Sequence, residues 1–165
     1  MAESIREFYY HYVILDDGPG NLTGVLQNLC ERGIRLLAFS CFPYGKGKMQ
    51  LDLIPQDPAI LVRVLEEMGL GVSARKAGFL VRSDEGPCAI RDVLTQLEQA
   101  RIRIIAVQAV AAGLGRSGAL LWVKAEDVER AARVLDALDG DWDIVDEASK
   151  ESFPASDAPA WMTSI

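Results

Sequence analysis

Two short turns hold most of the residues whose chemistry could matter. They are Asp17-Gly18-Pro19-Gly20, which runs into an amphipathic stretch at Asn21, and Glu85-Gly86-Pro87-Cys88, 68 residues further on. A glycine-rich turn entering a helix leaves the first backbone N–H groups without carbonyl partners, with the positive end of the helix dipole behind them. In the first turn these are the N–H groups of Gly20, Asn21 and Leu22, and the group that suits them is a carboxylate. The same residues also have a purely conformational use, because Pro presets φ and Gly permits a tight strand-to-helix turn. In the second turn Cys88 replaces Gly20 and adds a side chain where a ligand would approach. A thiol at a helix N-terminus can be activated. Here that half of the chain has no histidine, and Asp84 and Glu85 oppose a thiolate, so Cys88 reads as an inert small residue.

The remaining residue types exclude more than they offer. Three cysteines (Cys30, Cys41, Cys88) and one histidine (His11) contain no C-x-x-C pair, so no metal site and no cofactor is expected. His11 stands in a strand beside Tyr9, Tyr10 and Tyr12 and reads as a strand-surface or interface residue. No Ser/His/Asp cluster, Cys/His pair or phosphate loop appears, so no catalytic residue is assigned. The net charge of −7 opposes a nucleic-acid or anionic-membrane partner, and no apolar run reaches membrane-spanning length. The N-terminus lacks the basic and then apolar pattern of a secretory signal. The expectation is a reduced, cytoplasmic protein.

The elements that would position the turns come as a repeat. Asp16 to Leu29 aligns with Asp84 to Leu97 at a shift of 68, which places Gly18 on Gly86, Pro19 on Pro87, and Val25, Leu26 and Leu29 on Val93, Leu94 and Leu97. After the glycine loops the shift becomes 70, and Asp57 falls on Asp127 and Leu65 on Leu135. An insertion at a hairpin loop is what duplicated folds tolerate. Each copy reads as strand (His11 to Leu15; Phe79 to Ser83), turn, helix, second strand (Arg35 to Phe42; Arg103 to Ala111), third strand (Met49 to Ile54; Ala119 to Lys124) and second helix. Short fourth strands are expected near Val72 to Arg75 and Trp142 to Val145. Asp57 and Asp127 are expected N-caps, and the second helices are expected to end near Gly69 and Gly140. The fold class is α+β: two ferredoxin-like βαββαβ units, residues 9–75 and 76–145, with helices on one face of antiparallel sheet. Residues 146–165 form a Ser/Pro/Ala-rich acidic tail that reads as disordered.

An acidic residue, Gly-Pro-Gly, an amphipathic helix, then Gly-Ile and a strand (DDGPGNLTGVLQNLCERGIRLLAF) resembles the opening of an ACT domain. With the repeat, the resemblance spans Tyr9 to Val145 and is to tandem ACT proteins without an attached catalytic domain, such as the glycine cleavage repressor group. It implies an amino acid or related effector bound where two copies meet. It also implies that Asp17 and Glu85, at the turn, and Arg35 and Arg103, at the start of the second strands, contribute to holding that effector. If the copies pair about an approximate two-fold axis, Asp17 faces Arg103 and Glu85 faces Arg35. The implied function is regulatory small-molecule binding. The competing readings are an assembly module that has lost its effector and, more distantly, an enzyme on a ferredoxin-like fold. The apolar second strands (Leu36, Leu37, Phe39; Ile104, Ile105, Val107) would be vulnerable sheet edges unless covered, which predicts a homodimer.

Overall fold

The computed structural model describes residues 4–140 apart from Pro87, Ala89, Leu114, Gly115 and Asp139. The expected strand at Trp142 to Val145 and the tail 146–165 lie outside the described residues. Strand β1 (Ser4–Asp16) leads through the first turn to α1 (Asn21–Glu31), β2 (Leu36–Gly45), β3 (Lys48–Pro55) and α2 (Pro58–Glu67). The same order follows as β4 (Lys76–Ser83), α3 (Ile90–Gln99), β5 (Ile104–Gly113), β6 (Arg116–Val123) and α4 (Val128–Leu135). All strand pairs are antiparallel, in the order β2-β3-β1-β4-β6-β5.

The helices follow the predicted apolar faces. Val25, Leu29, Leu61, Val64 and Leu65 pack with Val13, Leu15, Leu51 and Leu53 into one core. Ile90, Val93, Leu97, Ala131 and Leu135 pack with Phe79, Val81, Ala119 and Leu121 into its counterpart. Alternation along the strands sends the intervening residues to the opposite sheet face. There Phe8, Ile54 and Trp122 form a third cluster with Tyr10, Leu37, Leu80 and Leu120. Sheet residues are therefore buried on both faces near the middle of the molecule.

The register exposes the symmetry of the duplication. β1 is unusually long and serves two neighbours: its first half pairs with β4 and its second half with β3. In the β1–β4 ladder Tyr9 lies opposite Ala77, a pair of residues related by the repeat shift of 68. At the two ends of the sheet, the Ser40 Oγ of β2 donates to Gln108 Oε1 of β5 at 3.0 Å, and these positions are again 68 residues apart. Equivalent residues that meet each other mark an approximate two-fold axis. The six-stranded sheet curls around that axis until its two edges touch.

Several local expectations are corrected. Asp57 caps α2, accepting from the N–H groups of Ala59 (3.0 Å) and Ile60 (3.3 Å). Asp127 caps nothing with its side chain: a short 3-10 turn, Ala125–Asp127, precedes α4, and Asp127 pairs with Arg130 instead. Gly69 ends α2 in the left-handed conformation as expected, whereas α4 stops at Leu135 with Asp136 (φ 49°) taking that role well before Gly140. Val72 forms only a single bridge to Val13 in place of a fourth strand: beside it the Tyr12 N–H donates to the Ser73 hydroxyl at 2.9 Å and not to a backbone carbonyl. After α4 the chain returns to the first unit, where Leu138 exchanges two backbone hydrogen bonds with β1, at Ile5 and Glu7.

Candidate functional site

The first turn is built as a tight connection. Gly20 is the α1 N-cap at φ 87° without a side-chain cap. The Asn21 N–H donates to the Gly18 carbonyl at 3.3 Å, and the Asn21 side-chain amide donates to the Asp16 carbonyl at 3.0 Å. Asn21 thus closes the turn, and Leu22 is half-buried against the helix-side core. Asp17 is exposed, with its N–H on the Gly47 carbonyl of the β2–β3 hairpin. In the second turn the exposed Glu85 donates its N–H to Ser83 Oγ, and it is Gly86 that adopts positive φ, at 80°. Cys88 is exposed.

The register does not bring the predicted cross-unit pairs together. Ile104 is opposite Val123 and Phe79 is opposite Leu121, so Arg103 lies at the level of Lys76 and Tyr10. Asp17 is seven residues beyond Tyr10 in the direction of β1, roughly 23 Å at about 3.3 Å per strand residue. By the same symmetry Arg35, exposed and beside Asp57 and Pro58, is remote from Glu85. His11 is buried, not on a strand surface, and its Nδ1 is 2.8 Å from the Ser73 carbonyl.

What the fold does assemble is a cavity of about 980 Å³ inside the curl of the sheet, on the approximate axis. Its polar wall is contributed by Tyr10, Ser40, Gln50, Asp52, Lys76 and Gln108. Phe42, Ile105, Val107 and Trp122 supply much of its apolar lining. Asp52 occupies the middle strand of the first unit, opposite Tyr12 on one side and Ser40 on the other. Only 5% exposed, it accepts one hydrogen bond from Gln50 Nε2 at 2.7 Å. Burial pushes its carboxyl above the usual carboxylate range, while the Gln50 bond and the Lys76 charge pull the other way. Burial, then the Asp52 and Tyr12 charges, push the Tyr10 hydroxyl up to about 12, so it stays a hydrogen-bond donor at neutral pH.

Trp122 occupies the position equivalent to Asp52, 70 residues on, in the middle strand of the second unit. Its ring meets Tyr10 edge-on at 6.5 Å and Phe8 at 6.0 Å. Although the residue is nine-tenths buried, its indole Nε1 has no hydrogen-bond partner. A buried donor left unmade costs about 1–3 kcal/mol. Sequence reasoning passed over both residues. The available signal was an acid inside an otherwise apolar strand, aligned by the repeat with a tryptophan.

Among the described residues no group of three or more His, Cys, Asp or Glu side chains could hold a metal ion, and no helix is long and apolar enough to cross a membrane. No family model and no curated protein matches the sequence. Solved structures do match. Protein BT0572 from Bacteroides thetaiotaomicron superposes with a TM-score of 0.68 at 19% identity, over 80% of this chain and 88% of that one. The ligand-free regulatory subunit of aspartate kinase from Thermus thermophilus gives 0.56 at 17% identity, over 82% of this chain and 95% of that one. This is a tandem ACT-type fold. The aspartate kinase of Clostridium acetobutylicum gives 0.52 at 12% identity, over 82% of this chain but 34% of that enzyme. Likeness at these identities is a likeness of fold.

Proposed function

We propose that this tandem ACT-type protein is a non-enzymatic regulatory module of the cytoplasm that binds an amino acid or related small metabolite between its two repeats. The observation that carries the reading is the axial cavity, because each unit supplies a wall and neither wall is complete alone. Its volume falls in the range of small-molecule sites, which are mostly apolar with a few placed polar groups. An effector held by both walls favours the closed arrangement of the units over any other, and differential affinity of that kind is what regulation requires. The Thermus thermophilus protein of like fold is a regulatory subunit, and a regulatory use of the fold here is consistent with that. A second site at the first turn, with Asp17 beside the N–H groups of Gly20, Asn21 and Leu22, remains part of the proposal. Arg35, Arg103 and Glu85 enter that site only if a second chain brings them to it.

We also propose a homodimer. Strands β2 and β5 touch at Ser40 and Gln108 without pairing their backbones, and they leave Phe39, Tyr44 and Val110, which do not line the cavity, at 48–63% exposure along the sheet edges. Uncovered apolar edges invite unwanted pairing, and a second chain would cover them. Thermal-shift screening of the twenty amino acids tests the binding function, since a ligand of the native state raises its melting temperature by mass action. A specific, saturable rise with one or a few of them is expected. If no amino acid or simple metabolite shifts the transition, the assembly role alone stands.

A further inference from the structure

We infer that the axial cavity recognises an organic amine, its ammonium received by the Asp52 carboxylate and its apolar body by the surrounding rings and aliphatic side chains, with no part of the site built for a carboxylate. The inference rests on the cavity being the effector site and narrows its ligand to the amine class. It starts from a charge without a counter-charge. Asp52 is 5% exposed, and a carboxylate that deep is ordinarily paired, because burying an unpaired charge is costly. Here it accepts a neutral hydrogen bond from Gln50, and among the described residues no cation pairs with it. Lys76, whose charge acts on it, is exposed and keeps its ammonium 5.4 Å above the Tyr12 ring. The cation that would complete Asp52 therefore has to come from outside the chain.

The surroundings of Asp52 favour an ammonium over other groups. Its cross-strand neighbours are Tyr12 and Ser40. Ser40 already donates its hydroxyl hydrogen to Gln108, and Gln50 donates to Asp52 itself. What these side chains leave open to a ligand is chiefly acceptor capacity, which an ammonium with three N–H donors can use. Tyr10, Phe42 and Trp122 add aromatic rings to the lining, and such rings attract an ammonium, more strongly where water is excluded. The cations among the lining residues are Arg75 and Lys76. Both are exposed and lie over tyrosine rings, Arg75 at 4.5 Å from Tyr9 and Lys76 at 5.4 Å from Tyr12. A carboxylate entering the cavity would meet Asp52 with no buried cation to offset the repulsion. Phe42, Ile105 and Val107 leave apolar space for the rest of the molecule. The ligand class is a primary amine on an aliphatic or aryl body.

Calorimetry on the full chain tests this with phenethylamine and isopentylamine. Their neutral isosteres, phenethyl alcohol and isoamyl alcohol, remove the charge, and L-phenylalanine and L-leucine add a carboxylate to the same bodies. At least one amine is expected to bind at least about tenfold more tightly than its alcohol, and no more weakly than its amino acid. Asp52→Asn should weaken the amine at least about tenfold and leave the alcohol nearly unchanged, with the wild-type circular dichroism spectrum retained. Should that variant not fold, the comparison of amine with alcohol on the wild-type chain decides. An alcohol that binds as tightly as its amine, or an amine that binds folded Asp52→Asn as tightly as wild type, overturns the ammonium assignment. An amino acid that binds tenfold more tightly than its amine overturns the choice of class while the cavity stays the effector site. If neither amine binds, the inference falls, and the screen of the twenty amino acids then decides separately whether the protein has an effector.

Discussion

Gly78 is where the joint between the two units can be stressed most cleanly. It lies opposite Phe8 in the central β1–β4 ladder. A Cβ built on it would approach Phe8 Cζ to 2.6 Å, Phe8 Cε2 to 3.0 Å and the Leu121 carbonyl oxygen to 2.9 Å. The Phe8 ring cannot simply rotate away, because it is 1% exposed and held between Tyr10 (5.9 Å) and Trp122 (6.0 Å). The carbonyl is backbone fixed by the β4–β6 register. Overpacking of this kind costs about 1–3 kcal/mol. The loss of unfolded-state entropy on replacing Gly offsets about 0.4–1 kcal/mol. Gly78→Ala should therefore destabilise by about 1–2 kcal/mol, a fall of roughly 2–8 °C in melting temperature for a chain of this size. Gly118→Ala is the control: it is another strand glycine without positive φ, and its nearest contact is an ordinary 3.8 Å to the Val81 carbonyl. It should be neutral or slightly stabilising. Urea unfolding followed by circular dichroism measures both, and Phe8→Leu in the Gly78→Ala background should recover part of the loss. Equal stability of the two alanine variants would refute the close packing of the units across Gly78.

Removing the α2 cap by Asp57→Ala should cost about 1 kcal/mol in urea unfolding, since two helix N–H groups lose their acceptor. Asp52 has its folded pKa raised above the ordinary value of 3.8, so the folded state binds the extra proton, and the stability that this proton confers is lost as pH rises through the raised pKa. Asp52→Asn should accordingly gain in melting temperature relative to wild type as pH climbs from about 4 toward neutrality, with the gap closing below that range. A gap independent of pH would show that Asp52 is not titrating in isolation from solvent. Asp17→Ala, in an exposed turn, should change stability by no more than about half a kcal/mol. Unfolding caused by this substitution would mark Asp17 as structural and remove it from any ligand site.

Much of the architecture was legible in the sequence because duplication writes it twice. The Gly-Pro turns, the heptad-like leucines of α1 and α3 and the shift in loop length each checked the other. What stayed hidden was set by tertiary neighbours. Beside Val72 the Tyr12 N–H is held by the Ser73 side chain, which ends the backbone ladder after one bridge, and no local propensity around Val72 records that contact. Asp127 carries the same residue type as Asp57, yet the 3-10 turn before α4 gives it a different partner. The cavity was missed for a related reason. Alternation in Leu51-Asp52-Leu53 reads as a half-buried strand with Asp52 facing water. The curl of the sheet, fixed by Ser40 meeting Gln108, covers that face as well.

The most direct test of an effector held between the repeats is the indole N–H resonance of Trp122 in a ¹H–¹⁵N spectrum of the full chain, recorded during titration with whichever amino acid shifts the melting temperature. Trp142→Phe and Trp161→Phe leave Trp122 as the single indole. Binding in the axial cavity, which Trp122 lines, predicts that this resonance moves, with backbone shifts on β3, β5 and β6. Shifts confined to Asp17–Leu22 and the Gly86 turn, with the Trp122 resonance unmoved at saturation, would contradict it and place the effector at the turns.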